Sequence, residues 1–184
     1  MSKTLEEKKK EWQEKYGVGN LRELKADGKS VFVFDPCIDF KKIKIIYTAR
    51  QKSVGHMVDA VLNNCWLDGD KDLRTDDEFK LGIEDQVDNM LDIPEAVKEE
   101  MDSGNYLLKV GEVELEVRQV TRQDIRFVDE RNAETLMKRV YLLDRIAVDE
   151  SKLEAVKKDA RVYFSMLLMV MELKAMKDVE LKKF

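Results

Sequence analysis

Proline, histidine and cysteine are scarce in this chain: 184 residues hold two prolines, one histidine and two cysteines, with eight glycines. So few helix breakers favour a helix-rich chain, and a 43% hydrophobic content separates it from disordered sequences. Cys37 and Cys65 stand in unlike contexts without metal-ligand spacing. That argues against a disulfide framework and for buried thiols in a reducing compartment. A single histidine, His56, cannot build a histidine metal site, and no serine, cysteine and acid are arranged around it. The chain lacks a G-x-x-x-x-G-K-[ST] phosphate loop and a G-x-G-x-x-G turn. We therefore expect no catalytic residues and no cofactor. Apolar runs are short: the strongest, Val162 to Leu173, is interrupted by Ser165 and Glu172 and is too short for a bilayer. The opening M-S-K-T-L-E-E-K-K-K has no apolar signal region, so a cytoplasmic, non-membrane protein is expected. Charge of one sign is lacking too. With 38 acidic against 33 basic residues the net charge is -5, a poor match to a general nucleic-acid binder.

What the chain does have is periodicity. Thr4 to Tyr16 reads as an E/K-rich helix whose thin stripe, Leu5, Trp12 and Tyr16, suits docking at an edge. Gly17 ends it. Leu21 to Phe34 reads as a hairpin turning at Asp27-Gly28, and Asp35-Pro36 as a helix start. Cys37 to Arg50 is read as helix, with strand as the alternative because its apolar residues crowd more than one face. Ser53 opens a helix bearing Met57, Val58, Val61, Leu62 and Cys65, with Trp66 at its end; Cys65 and Trp66 read as core anchors. The Asp68–Arg74 loop follows. Thr75-Asp76-Asp77-Glu78 then has the form of a capping box for a helix carrying Phe79, Ile83, Val87 and Met90. Pro94 to Met101 reads as a short acidic helix.

The same order then recurs. Tyr106 to Val117 is a second hairpin turning near Gly111-Glu112, Thr121 caps a helix, Ala133 to Ile146 is another, and Ser151-Lys152-Leu153-Glu154 is a second box opening a long final helix. Leu24-Lys25 lines up with Leu108-Lys109, and Thr75 with Ser151. Ala147 to Glu150 stands where Trp66 to Arg74 stood. The expectation is a helix-rich α+β protein: a tandem duplication of a β-hairpin followed by two to three helices. Its divisions would be an N-terminal helix (1–20), a first repeat (21–103) and a second (104–184).

Two stretches are candidate sites. Asp68, Asp70, Asp72, Arg74 and Asp76 alternate like the start of a calcium loop. Glycine is misplaced, however, and the twelfth position is Phe79 rather than glutamate. Asp68, Asp70 and Asp72 are thus weak metal candidates, and helix N-terminal duty explains acid there as well. The second stretch, Phe164 to Met171, is apolar nearly all round. Its residues Phe164, Leu167, Leu168 and Met171 suit a core, or a surface that packs on a protein partner or a second copy; methionines 166, 169, 171 and 176 suit either.

The run A-V-L-N-N-C-W-L-D-G-D-K-D-L-R-T-D-D-E-F and the amphipathic helix after it, with W-Q-E-K-Y-G and the D-G-K hairpin before it, resembles small phage and prophage proteins of the tail-assembly region. The resemblance covers about residues 12–93, and the second half lacks those letters. It is to tail assembly chaperones, and it implies a non-enzymatic protein that covers a tape-measure protein until tail tube protein replaces it. A metal-regulated or hydrolytic module on Asp68 to Asp77, and a purely structural subunit, are the competing readings.

Overall fold

The computed structural model describes residues 3–131 and 133–173. The chain divides into two compact units, Met1–Asp92 and Ile93–Phe184. Among the described residues it is α+β and helix-rich, with nine α-helices and two three-stranded antiparallel sheets.

In the first unit, α1 (Leu5–Tyr16) starts with a full capping box, Thr4 and Glu7 satisfying each other's backbone amides. It stops at Gly17, whose φ of 87° suits a residue without Cβ. The strands β1 (Leu21–Ala26) and β2 (Lys29–Phe34) pair about the Asp27-Gly28 turn, as the sequence predicts. Asp35-Pro36 opens a single 3-10 turn rather than the helix itself. Asp39 caps α2 (Phe40–Arg50), so Cys37 to Asp39 lie outside it. Ser53 caps α3 (Val54–Asn64).

The Asp68–Arg74 stretch differs most from expectation. Trp66–Gly69 is a strand, β3, laid antiparallel on β2, and Lys71–Arg74 is a 3-10 turn capped by Asp70. The helix after it is capped by Asp76, not Thr75; the Thr75 hydroxyl instead donates to the Asp72 carbonyl. That helix is in two pieces, α4 (Asp77–Gly82) and α5 (Glu84–Asp88). Phe79, Ile83, Val87 and Met90 are nevertheless all buried, as their spacing requires.

In the second unit, Val97–Glu100 is a strand, β4, and not the short helix expected between Pro94 and Met101. Its partner is β5 (Tyr106–Val110), and both strands lie in the second unit. β5 turns at Gly111 into β6 (Val113–Val117). Thr121 caps α6 (Arg122–Asp129) with Asp124 reaching back, and α7 (Thr135–Ile146) follows. The expected box at Ser151 is not formed. Asp149 caps α8 (Glu150–Lys157), and the Ser151 hydroxyl donates to that cap. The long final helix breaks where Asp159 takes the amides of Arg161 and Val162 and starts α9 (Ala160–Met169), with a 3-10 turn over Val170–Leu173. α9 packs on α7 and β5. Met176 lies outside the described residues.

Both units run through a hairpin, two helices, a return to the hairpin's second strand, and further helices. The return is made the same way. The Phe34 amide donates to the Cys65 carbonyl at 2.9 Å, and the Arg118 amide to the Ile146 carbonyl at 2.9 Å. In the first unit the return grows into β3; in the second it is one bridge, Val117 to Ala147. The inward hairpin positions are apolar and buried in both: Leu24, Val31 and Val33, then Leu108, Leu115 and Val117.

Candidate functional site

The acidic junction is built as structure. Lys8 Nζ meets Asp68 at 2.7 Å and holds its carboxyl below the usual carboxylate range. Asp70 accepts the Asp72 amide at 3.1 Å. Asp76 pairs with Lys29 at 2.6 Å, which lowers its carboxyl, and accepts the Phe79 amide as helix cap. Three of these acids thus have backbone or lysine partners, and Asp72 is exposed. Among the described residues no group of three or more histidine, cysteine, aspartate or glutamate side chains is placed to hold a metal ion. Cys65 is buried and its thiol is pushed up to about 12 by that burial. A thiol so held is almost entirely protonated at neutral pH and is a poor nucleophile. Trp66 is only half-buried. It lies in β3 with the Arg74 guanidinium 4.3 Å from its ring centre, a cation–π contact rather than a core position. His56 is exposed, its Nδ1 2.7 Å from the Ser53 hydroxyl.

Burial divides the four protein-binding candidates. Phe164 and Leu167 are fully buried, while Leu168 and Met171 are half-buried. Any partner surface on α9 and its last turn therefore falls on Leu168, Met169 and Met171. The Arg139 guanidinium donates to the Leu167 and Leu168 carbonyls at 3.5 and 3.3 Å, closing the C-terminal turn of α9.

A surface that the sequence reading did not single out lies on the first sheet. Along β2, Val31 and Val33 face inward, so Phe32 and Phe34 face outward with Glu23 of β1 and Asp68 of β3. α1 lies over them. Tyr16 stacks on Phe34 with ring centres 4.7 Å apart and planes 4° from parallel, and Trp12 meets Phe32 at 5.8 Å. Lys9 sits over the Phe32 ring at 5.4 Å, and Lys8 reaches Asp68. The contact stripe is Lys8, Trp12 and Tyr16, one side chain per turn. Each aromatic contact contributes about 0.5–1.5 kcal/mol beyond area burial, and a half-exposed ion pair under about 1. No residue of α1 is buried. The readable signal was Phe32 and Phe34 alternating against Val31 and Val33, opposite a helix with a stripe too thin for a core.

The second sheet's outward face is mixed: Val97 of β4 and Leu107 of β5 share it with charged side chains. At the corresponding outward positions stand Glu114 and Glu116 of β6 and Lys109 of β5, with Lys109 bridging Glu99 and Glu114 at 2.7 and 3.3 Å. Its most buried charge is Asp124, 1% exposed, which takes both Arg118 terminal nitrogens at 2.7 and 2.9 Å, Arg145 Nε at 2.6 Å and the Thr121 hydroxyl. Arg118 above all drives that carboxyl far below its ordinary value. Every oxygen is used internally, which makes this a structural clamp tying β6 to α6 and α7. No helix among the described residues is long and apolar enough to cross a membrane. Comparison of the chain with protein-family models, curated proteins and solved structures finds no match.

Proposed function

We propose that this chain is a non-enzymatic, cytoplasmic phage or prophage tail-assembly accessory protein that binds another tail protein, the tape-measure protein first among candidates, through apolar faces of helices and of the first sheet. The observation that carries the reading is the stretch from Ala60 to Phe79, whose letters resemble the tail assembly chaperones. Asp68 and Asp76 pair with lysines and Asp70 and Asp76 accept backbone amides, a structural use of acid that supports the protein-binding reading. The half-buried Leu168, Met169 and Met171 offer adaptable apolar surface of the kind such binding uses. Self-association belongs to the same proposal. So does tandem duplication, supported by the shared element order and the matching return to each hairpin.

The test is co-expression with a tape-measure protein, followed by affinity capture and mass measurement. The reading requires a stable complex. A chain that stays monomeric and alone would favour a purely structural subunit. A saturable change in Trp66 fluorescence with micromolar calcium, magnesium or manganese, abolished by Asp70→Ala with Asp72→Ala, would instead revive the metal-dependent reading.

A further inference from the structure

We propose that the outward face of the first sheet is a helix-docking site which α1 occupies in cis, and that a partner helix of matching chemistry takes α1's place. The inference rests on the protein-binding reading above and names the surface. The face is apolar at Phe32 and Phe34 and acidic at Asp68 of β3, while Glu23 of β1 is paired with Lys25 at 3.0 Å. What fits it is shown by what sits there: a helix presenting lysine, tryptophan and tyrosine on successive turns, as Lys8, Trp12 and Tyr16 do. The partner is therefore an amphipathic helix with two large apolar or aromatic side chains four residues apart and a basic residue one turn before them.

Three observations mark α1 as replaceable. Its docked side chains are half-buried at most, whereas Val31 and Val33, on the inward side of β2, are completely buried. It joins the sheet through Gly17-Val18-Gly19, where Gly17 has a φ of 87° and Val18 is 76% exposed. In the second unit, built in the same order, the outward residues of the second hairpin strand are Glu114 and Glu116, and Lys109 bridges Glu99 and Glu114 beside them. Aromatic residues on the outward side of that strand are thus not a requirement of the architecture. Occupation by α1 lowers the apparent affinity for a competing helix by the fraction of time the face is open.

The test uses the full-length chain and a fluorescent peptide of residues 3–17. Trp12→Ala with Tyr16→Ala in the chain loosens α1, and the labelled peptide is then expected to bind at least about tenfold more tightly than to the unaltered chain. A peptide carrying the same two alanines should bind neither. Lys8→Glu with Lys9→Glu, a change at the surface, gives a second loosened chain should the first fold poorly, and is expected to act in the same direction. Hydrogen exchange on the unaltered chain supplies an independent reading: α1 amides should exchange about 100-fold or more faster than those of β2. Equal peptide affinity for loosened and unaltered chains, no binding to a folded loosened chain, or α1 exchanging in step with β2 would each overturn the inference. So would a loosened chain that dimerises by exchanging α1 and excludes the peptide, since the occupant would then be a second copy. A tail-protein complex that forms but is indifferent to both loosened chains overturns this inference and leaves the proposed function standing.

Discussion

At the residue scale the strongest single commitment is Asp124. A carboxylate 1% exposed and met by Arg118, Arg145 and Thr121 is stable only as a set, because removing it leaves two guanidinium groups facing one another. Asp124→Ala is expected to destabilise the second unit by about 3–5 kcal/mol, read as a fall in the urea midpoint by circular dichroism. The pH dependence follows from the direction of the shift. The folded carboxyl titrates below its ordinary value of 3.8, so at acid pH the unfolded chain binds the extra proton. The contribution is complete above about pH 5 and is lost as pH falls through the ordinary carboxylate range and below. Circular-dichroism melts of the unaltered chain should lose midpoint over that interval, and those of the alanine variant should be flatter. Gly82 makes a different kind of commitment. A Cβ there would lie 2.5 Å from the Ala26 Cβ, where the end of α4 meets β1. Alanine is ordinarily the better helix former by about 1 kcal/mol, yet the overlap should win. Gly82→Ala is expected to destabilise the fold by about 1–3 kcal/mol, and Ala26→Gly in the same chain should recover most of the loss. Urea midpoints of the two single variants and the double variant decide it; a stabilising Gly82→Ala would show that α4 is not held against β1 there.

At the scale of elements, the caps separate what was readable from what was not. Both hairpins were legible because Asp27-Gly28 and Gly111-Glu112 sit between alternating apolar residues, and the turn chemistry and the strand period agree. The buried face of α3 and the stripe from Phe79 to Met90 were legible for the same reason. The caps at Thr75 and Ser151 were misplaced because each stands within two residues of an aspartate able to do the same work. Asp76 and Asp149 hold the caps, and the hydroxyls turn to a carbonyl and to the cap itself. β3 and β4 were missed since neither alternates: W-L-D-G and V-K-E-E become strands by pairing with β2 and β5, a non-local event that no window of sequence contains. The candidate surface suffered likewise. Lys8, Trp12 and Tyr16 show a stripe, and Phe32 and Phe34 show an outward pair, but only the fold brings the two together. The cap assignment has its own test. Asp76→Ala removes both the Phe79 amide's acceptor and the partner of Lys29, and is expected to lower the thermal midpoint, while Thr75→Ala should change it little. The reverse ranking would restore the box at Thr75.

At the scale of the molecule, the distribution of reporters over the two units makes their stability separately visible. Both tryptophans and both cysteines fall in Met1–Asp92, and none in Ile93–Phe184. Cys37 and Cys65 are 2% and 0% exposed, and the Cys65 thiol is pushed up to about 12, so neither reacts readily while the fold is closed. Labelling by a soluble disulfide reagent therefore requires the first unit to open. Trp66 stands immediately after Cys65 at the start of β3, and its fluorescence should change when β3 leaves β2. With Trp12 replaced by phenylalanine, the thiol-labelling and Trp66 fluorescence midpoints in a urea series are expected to coincide, since one cooperative unit carries both signals. The α1 aromatics refine this. Trp12 rests on the outward face, so an opening of α1 alone alters Trp12 emission while both thiols stay protected. Replacing Trp66 by phenylalanine isolates that signal. Trp12 emission changing at lower urea than thiol labelling is the expected outcome, and it agrees with a helix held by two ring contacts and two lysines, Lys8 and Lys9. Coincident changes would mean that α1 is an integral part of the first unit's cooperative core, and the outward face would then open only when the unit itself unfolds.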